Sequence, residues 1–170
     1  MNSEEMIEKG DIIGLIDALD SPEDYNARNA LWNQHKQGDP KVKEALLSAM
    51  SHKSAKVRAQ TIQLLKEPSI GLKDLNVLNL LIQALQDESA DVRYESAYAL
   101  ADIRSAEATR PLMELLDDES ETVREYVVYA LGEISDNRAA DALKKRVPIE
   151  TERVRMRIGH ALKKIKAVWG

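Results

Sequence analysis

The segment LIQALQDESADVRYESAYALADI (Leu81 to Ile103) recurs as LMELLDDESETVREYVVYALGEI (Leu112 to Ile134), 31 residues later and without a gap. This recurrence constrains the fold more than any single motif, because periods of roughly 20–50 residues belong to architectures in which one unit stacks on the next. A third copy keeps the displacement: Leu143, Val147, Val154, Arg155, Ala161, Leu162 and Ile165 fall on Leu112, Leu116, Val123, Arg124, Ala130, Leu131 and Ile134. Towards the N-terminus, Val57–Arg58 precedes Val92–Arg93 by 35 residues, the excess lying in the Pro-containing stretch EPSIGLKDLN (67–76). Leu46, Leu47 and Met50 then match Leu81, Ile82 and Leu85. The first copy is the most degenerate: Leu15, Ile16 and Leu19 form its opening helix, and Ala27–Arg28 stands in place of Val–Arg. The register therefore predicts five copies, at about 10–37, 40–67, 76–104, 107–135 and 138–168, in a single repeat domain spanning 1–170.

Each copy reads as a helix of about ten residues, a short polar turn and a second, longer helix. In the second helix of the third copy, the apolar positions Val92, Ser96, Ala99, Leu100 and Ile103 follow helical spacing on one face. The turn residues Asp87, Glu88, Ser89 and Asp118, Glu119, Ser120 place acids and a hydroxyl where they cap the next helix and complement its dipole. There is no Phe and little Gly, the apolar content being Leu, Ala, Ile and Val among many Glu, Lys and Arg, which favours helix throughout. One helix pair cannot bury its stripe alone, so the pairs must stack. The expected fold is an all-α solenoid of about five stacked antiparallel helix pairs.

The phrases DESADVRYESAYALADI and DESETVREYVVYALGEI resemble the HEAT-like repeat, of the phycobilisome-lyase type, whose second helix carries Val-Arg and then Ala-Leu-Gly before an Ile. Gly132 supplies that Gly, whereas Ala101 and Lys163 depart from it. The resemblance covers about Gly10 to Val168, is strongest over Leu78 to Ala167, and specifies fold rather than function. It implies a curved stack whose second helices line a concave side. It also raises two narrower functions, a bilin lyase-like accessory subunit and DNA binding of the kind seen in HEAT-like glycosylases. The His-Glu pairs that hold iron in the hydroxylase members of the HEAT family are absent.

Arg28, Arg58, Arg93, Arg124 and Arg155 stand at one register position in every copy. Such a ladder could hold phosphates or carboxylates, but a residue tied to the register is better explained by the stack itself, pairing with turn acids such as Asp87 and Asp118. The tyrosines are more telling. Tyr94 and Tyr98 lie two and six residues after Val92, and Tyr126 and Tyr129 three and six after Val123, all off the core stripe. Four of the five tyrosines thus fall side by side on two adjacent second helices, a rigid aromatic surface of the kind that marks interaction sites. Glu95 and Glu125 stand among them, and Met156 and His160 hold equivalent positions in the last copy. These eight residues form the predicted partner-binding site.

Charge is divided as well. Asp87 to Asp136 carries a net −10, and Asn137 to Gly170 a net +7. Lys144, Lys145, Arg146, Arg153, Arg157, Lys163, Lys164 and Lys166 could contact a phosphate backbone, or could make the last copy a solubilising cap, which is the commoner use of a charged terminal repeat. The acidic middle, with Glu95, Asp102, Glu125 and Glu133 among the tyrosines, disfavours nucleic acid there and favours a basic protein surface.

Chemistry finds little support. Without cysteine there is no disulfide, thiolate metal site or cysteine nucleophile, which suits a reducing cytoplasm. His35, His52 and His160 are isolated, with no HxxxH or HExxH spacing, and no Gly-rich phosphate loop exists. Trp32 and Trp169 read as core and terminal packing. The residues Met1 to Gly10 carry Glu4, Glu5 and Glu8 rather than a secretory pattern, and no apolar run reaches the roughly 20 residues of a membrane span. The expectation is a cytoplasmic, non-catalytic scaffold, monomeric or weakly dimeric, with no cofactor or metal, that binds a protein or peptide partner.

Overall fold

The computed structural model describes residues 2–21, 25–66 and 74–170, and among these every regular element is helical. Residues 67–73, most of the Pro-containing stretch, lie outside the described residues. The fold is an α-solenoid of antiparallel helix pairs, divided into two compact units, Met1–Leu80 and Leu81–Gly170.

The first unit contains α1 (Ser3–Lys9), α2 (Ile12–Ala18), α3 (Tyr25–Lys36), α4 (Pro40–Ala49), α5 (Ala55–Leu65) and the start of α6 (Leu75–Ala84). Helix α1 was not expected from the sequence, since two turns give no readable apolar stripe. Its ends explain it: the Asn2 side chain accepts the Glu5 N–H at 2.9 Å, and Gly10 closes it at φ +66°. It packs on α2 and α3, while α2 packs on α4 and α4 on α5. Leu15, Ile16, Leu19, Leu31, Leu46, Ile62 and Leu65 form the core. In α3 the buried face is Ala27, Leu31 and His35, spaced four apart. Trp32, expected in the core, stands one residue off that face and is exposed, with the Lys36 ammonium 4.6 Å from its ring centroid.

The second unit completes α6 and adds α7 (Ala90–Ile103), α8 (Thr109–Glu114), α9 (Glu121–Ile134), α10 (Ala140–Arg146) and α11 (Glu152–Trp169). The opening helices α8 and α10 are shorter than the ten residues expected, because each is flanked by single 3₁₀ turns, at Ala106–Ala108 and Leu115–Asp117 and at Asn137–Ala139 and Val147–Ile149. Pro148, which lacks an N–H, sits in the last of these. Trp169 is exposed but anchored, its indole N–H donating to the Ser135 carbonyl at 2.7 Å.

Helices α7, α9 and α11 lie side by side and run parallel, since early residues meet early ones and late meet late: Tyr94 faces Tyr126, Glu125 faces Arg157, and Glu133 faces Lys164. Flanked in this way, α7 buries more than the predicted stripe. Arg93, Glu95, Ala97 and Ala101 are buried along with Val92, Ser96, Ala99 and Leu100. A Cβ built on Gly132 would lie 2.9 Å from both the Cα and the Cβ of Ala161, so α9 and α11 touch backbone to backbone there.

The register arginine braces its own turn and, in α7 and α9, ties it to the next one. Arg58, Arg93 and Arg124 each donate through Nη1 to the carbonyls five and six residues earlier, at 2.8–3.2 Å. Arg155 reaches the Glu150 carbonyl at 2.9 Å. The other edge of the guanidinium takes an acid from the next turn. Arg93 grips both oxygens of Asp118, at 2.7 and 3.0 Å, and Arg124 those of Glu150, at 3.1 and 3.2 Å. In the degenerate first copy Arg28 instead donates to the Gln63 amide oxygen at 2.8 Å. The ladder serves the stack, and the Asp87 backbone carbonyl takes part in it by accepting from Arg93.

Three stability outcomes follow, all measurable by urea unfolding. Asp118→Ala strands the nearly buried Arg93 guanidinium and should cost about 3 kcal/mol. Gly132→Ala should cost about 1–3 kcal/mol, because the new methyl meets backbone. Gly159→Ala, at a helical site with nothing within 4 Å, should instead stabilise by up to about 1 kcal/mol.

Candidate protein-binding face

Helices α7 and α9 lie side by side and parallel, so that residues 31 apart occupy one row. Ser120 caps α9 by accepting the Val123 N–H, as Ser54 and Thr151 cap α5 and α11, whereas Ser89, expected to cap α7 in the same way, makes no side-chain cap bond; both α7 and α9 end on a left-handed residue, Arg104 and Ser135. This brings four tyrosines into contact. Ring centroids are 5.2 Å apart for Tyr94 and Tyr126, 5.5 Å for Tyr98 and Tyr126, and 5.9 Å for Tyr98 and Tyr129, all tilted. The rings form one zigzag, and each is half-buried, neither sealed in the core nor standing free. Partial burial pushes the Tyr94 phenol up to about 12, helped by the charge of Glu95 and a hydrogen bond to it. Burial also raises Tyr129, beside Glu133. Both phenols are therefore neutral hydrogen-bonding tips at neutral pH.

The carboxylates differ from the open acidic surface that the sequence suggests. Glu95 and Glu125 are buried. Glu125 accepts from Arg157 at 2.8 Å and is closed on its other oxygen by Arg153, while Glu133 pairs with Arg104 at 2.9 Å and with Lys164. The basic helix α11 thus neutralises acids of α9, its neighbour, and the charge division along the chain is partly cancelled by packing. Five of the eight basic residues noted above, Lys144, Arg146, Arg153, Arg157 and Lys164, have carboxylate partners.

Arg157 does more than pair. Its guanidinium lies 5.5 Å from the centroid of Tyr129, so the aromatic zigzag ends on a cation. A 31-residue shift maps Arg157 onto Tyr126, which places it in the row, but that its guanidinium meets the Tyr129 ring depends on the packing of α11 on α9. His160 is exposed and lines a shallow pocket of about 200 Å³ with Tyr129, Glu133, Arg157 and Lys164. Met156 is exposed beside Arg157. Among the described residues no group of three or more His, Asp or Glu could hold a metal, and no helix is long and apolar enough to cross a membrane.

The Glu125 cluster makes a pH prediction. Burial alone would raise this carboxyl, but the hydrogen bonds from Arg153 and Arg157 outweigh it and hold the group below its usual 4.5. A lowered folded value contributes stability above about pH 4.5 that is lost as pH falls through it. Glu125→Gln should therefore be less stable than the parent at pH 7, and the gap should shrink by about pH 3. A gap in urea midpoint that is the same at both pH values would contradict this.

Known proteins share the fold. The profile of HEAT repeats matches residues 78–163. The chain is similar to a designed armadillo repeat protein in complex with the peptide (KR)4, at 22% identity and TM-score 0.65, over 96% of this chain and 85% of that one. It is also similar to the complex of CpcE and CpcF of phycocyanin lyase from Nostoc sp. PCC7120, at 19% identity and TM-score 0.70, over 90% of this chain and 64% of that one. Human deoxyhypusine hydroxylase is similar at 21% identity and TM-score 0.63, over 81% of this chain and 48% of that one. No curated protein matches the sequence. A match over half the chain, on the very helices that the arginine ladder joins, assigns the protein to the HEAT-repeat family.

Proposed function

We propose that this HEAT-repeat chain is a non-catalytic scaffold that holds a protein or peptide partner on the face formed by α7, α9 and α11. The observation that carries this reading is the unbroken row of four half-buried rings, Tyr94, Tyr126, Tyr98 and Tyr129. Tyrosine offers large, stiff contact area with a polar tip, and interfaces draw most of their binding energy from such anchors. Met156 and His160 are the exposed neighbours of the row, while the buried Glu95 and Glu125 hold Tyr94 and Arg157 by hydrogen bonds. The resemblance to a designed repeat protein that holds a Lys/Arg peptide supports a peptide-like partner on this fold.

A second reading, an accessory subunit of a bilin lyase, draws on the similarity to the CpcE and CpcF complex. It is tested by mixing the protein with a bilin and recording the visible spectrum, where an absorbance shift would favour it. Nucleic-acid binding is weakened by the pairing of Arg153, Arg157 and Lys164 with carboxylates.

For the scaffold, Tyr98→Ala and Tyr129→Ala should each weaken partner capture by more than about 1 kcal/mol while leaving far-ultraviolet circular dichroism unchanged. The measurement is an affinity capture from the native organism with the double variant as control. Prey retained equally by both proteins would remove the tyrosine row as the binding face.

A further inference from the structure

We propose that the groove between α2 and α4 is a second docking site, which takes an amphipathic helix of a partner protein with an apolar stripe and basic flanks. It lies wholly within the first unit and does not depend on the tyrosine row of the second.

The first copy departs from the repeat at an exposed position. By the register, Ile13 falls on Glu44, Asn79, Arg110 and Asp141, all polar and exposed. In the first copy that place belongs to a large apolar side chain, and Ile13 is 71% exposed. Its neighbour Ile12 falls on Lys43, which pairs with Asp74 at 2.5 Å just before α6. Where α4 carries a lysine committed to an ion pair, α2 carries isoleucine. An exposed apolar edge of this kind marks an interaction surface when it borders a cavity that it helps to line.

Ile13 borders such a cavity. Helices α2 and α4 run parallel, since Asp17, late in α2, meets His52, just after α4, at 3.2 Å. Between them lies an open groove of about 620 Å³, with Ile12, Ile13 and Ile16 on one wall and Ala45 and Ala49 on the other. Alanines facing isoleucines leave room for a further layer of side chains. From Lys41 to Ala49 the α4 wall rises about 12 Å, or two helical turns, which accepts anchors at i, i+3 or i+4, and i+7.

Backbone chemistry and charge select the occupant. Both walls are helices whose inner N–H and C=O groups already bond within the helix, so an extended segment finds no backbone partners along the floor. A docking helix arrives with its own backbone satisfied. Three carboxylates, Asp11, Asp17 and Glu44, line the groove against one ammonium, Lys41, which selects basic flanks. Asp11 accepts the neutral Gly14 N–H at 2.9 Å. His52 takes the Ser54 N–H on Nδ1 and so meets Asp17 through a neutral Nε2–H. Neither contact cancels a carboxylate charge, and the Asp17 side chain is 66% exposed. A second copy of this chain would bring the same three acids, so charge opposes it as the occupant.

The test selects phage-displayed helical peptides of about three turns on the full chain at physiological salt, with counter-selection on Ile13→Glu, the residue type that α4 has at that position. Enriched peptides should carry apolar residues at i, i+3 or i+4, and i+7, with Lys or Arg beside them. By fluorescence anisotropy, the labelled synthetic peptide should bind Ile13→Glu at least about tenfold more weakly than the parent. Glu44→Lys should weaken it as well, while Ile13→Leu and Tyr98→Ala should bind as the parent does, all variants keeping the parent's circular dichroism. No enrichment, an acidic or unpatterned consensus, equal affinity for Ile13→Glu, or loss of binding in Tyr98→Ala would overturn the proposal. So would a parent that sediments as a dimer beside an Ile13→Glu variant that sediments as a monomer, because a second copy would then cover the groove.

Discussion

A single guanidinium, repeated, holds this fold in register. In α5, α7 and α9 it folds back beneath its own turn to take carbonyls five and six residues earlier, and in α7 and α9 it also reaches forward to the next acid. The five donors of arginine, fixed in one plane, permit both at once, and lysine offers no such fork. Carbonyls left open at the turn are satisfied, and the stacking distance is set by a charge-assisted bond rather than by apolar contact alone. The core residues can then be ordinary Leu, Val, Ile and Ala, because they fill a spacing already determined.

Much of this was legible in the sequence, because the register is a property of spacing. The 31-residue displacement placed the helix pairs, the capping hydroxyl of Ser120 though not a cap bond from Ser89, and the arginine position. What escaped it depended on neighbours not written in the period. Helix α1 is too short to show a stripe, and only its Asn2 and Gly10 ends reveal it. Trp32 looked like core by size, yet the buried face of α3 passes through Leu31 and His35 and leaves it outside. Glu150, which takes both Arg124 and Arg146, breaks the register by one place relative to Asp118 and so gave no repeating signal.

The candidate face was legible in part, and the missing part is instructive. That four tyrosines share two helices follows from offsets of two, three and six. That their rings touch, and that the row ends on Arg157, requires the parallel alignment of α7, α9 and α11. The same alignment changes the meaning of the charge pattern. A net −10 segment followed by a net +7 segment reads as two surfaces in one dimension, but in the fold the basic helix faces the acidic one and the ions pair. Linear charge asymmetry describes a surface only when the two segments do not pack on each other.

Because α7, α9 and α11 are held in one register, each position of that register is a slot that recurs with the same geometry and can be filled by different chemistry. The position of Arg93 and Arg124 is filled alike each time, since the stack requires it. The position held by Tyr126 in α9 and by Arg157 in α11 is not so constrained, and the two side chains meet the preceding ring at the same distance, 5.5 Å. A ring and a guanidinium are alike in shape, both flat and apolar on their faces, and opposite in what they ask of the next partner. Chemistry that differs between copies therefore sits at the slots where the repeats disagree, and at the slot shared by Tyr126 and Arg157 the aromatic row passes from a neutral ring to a cation that Glu125 also holds.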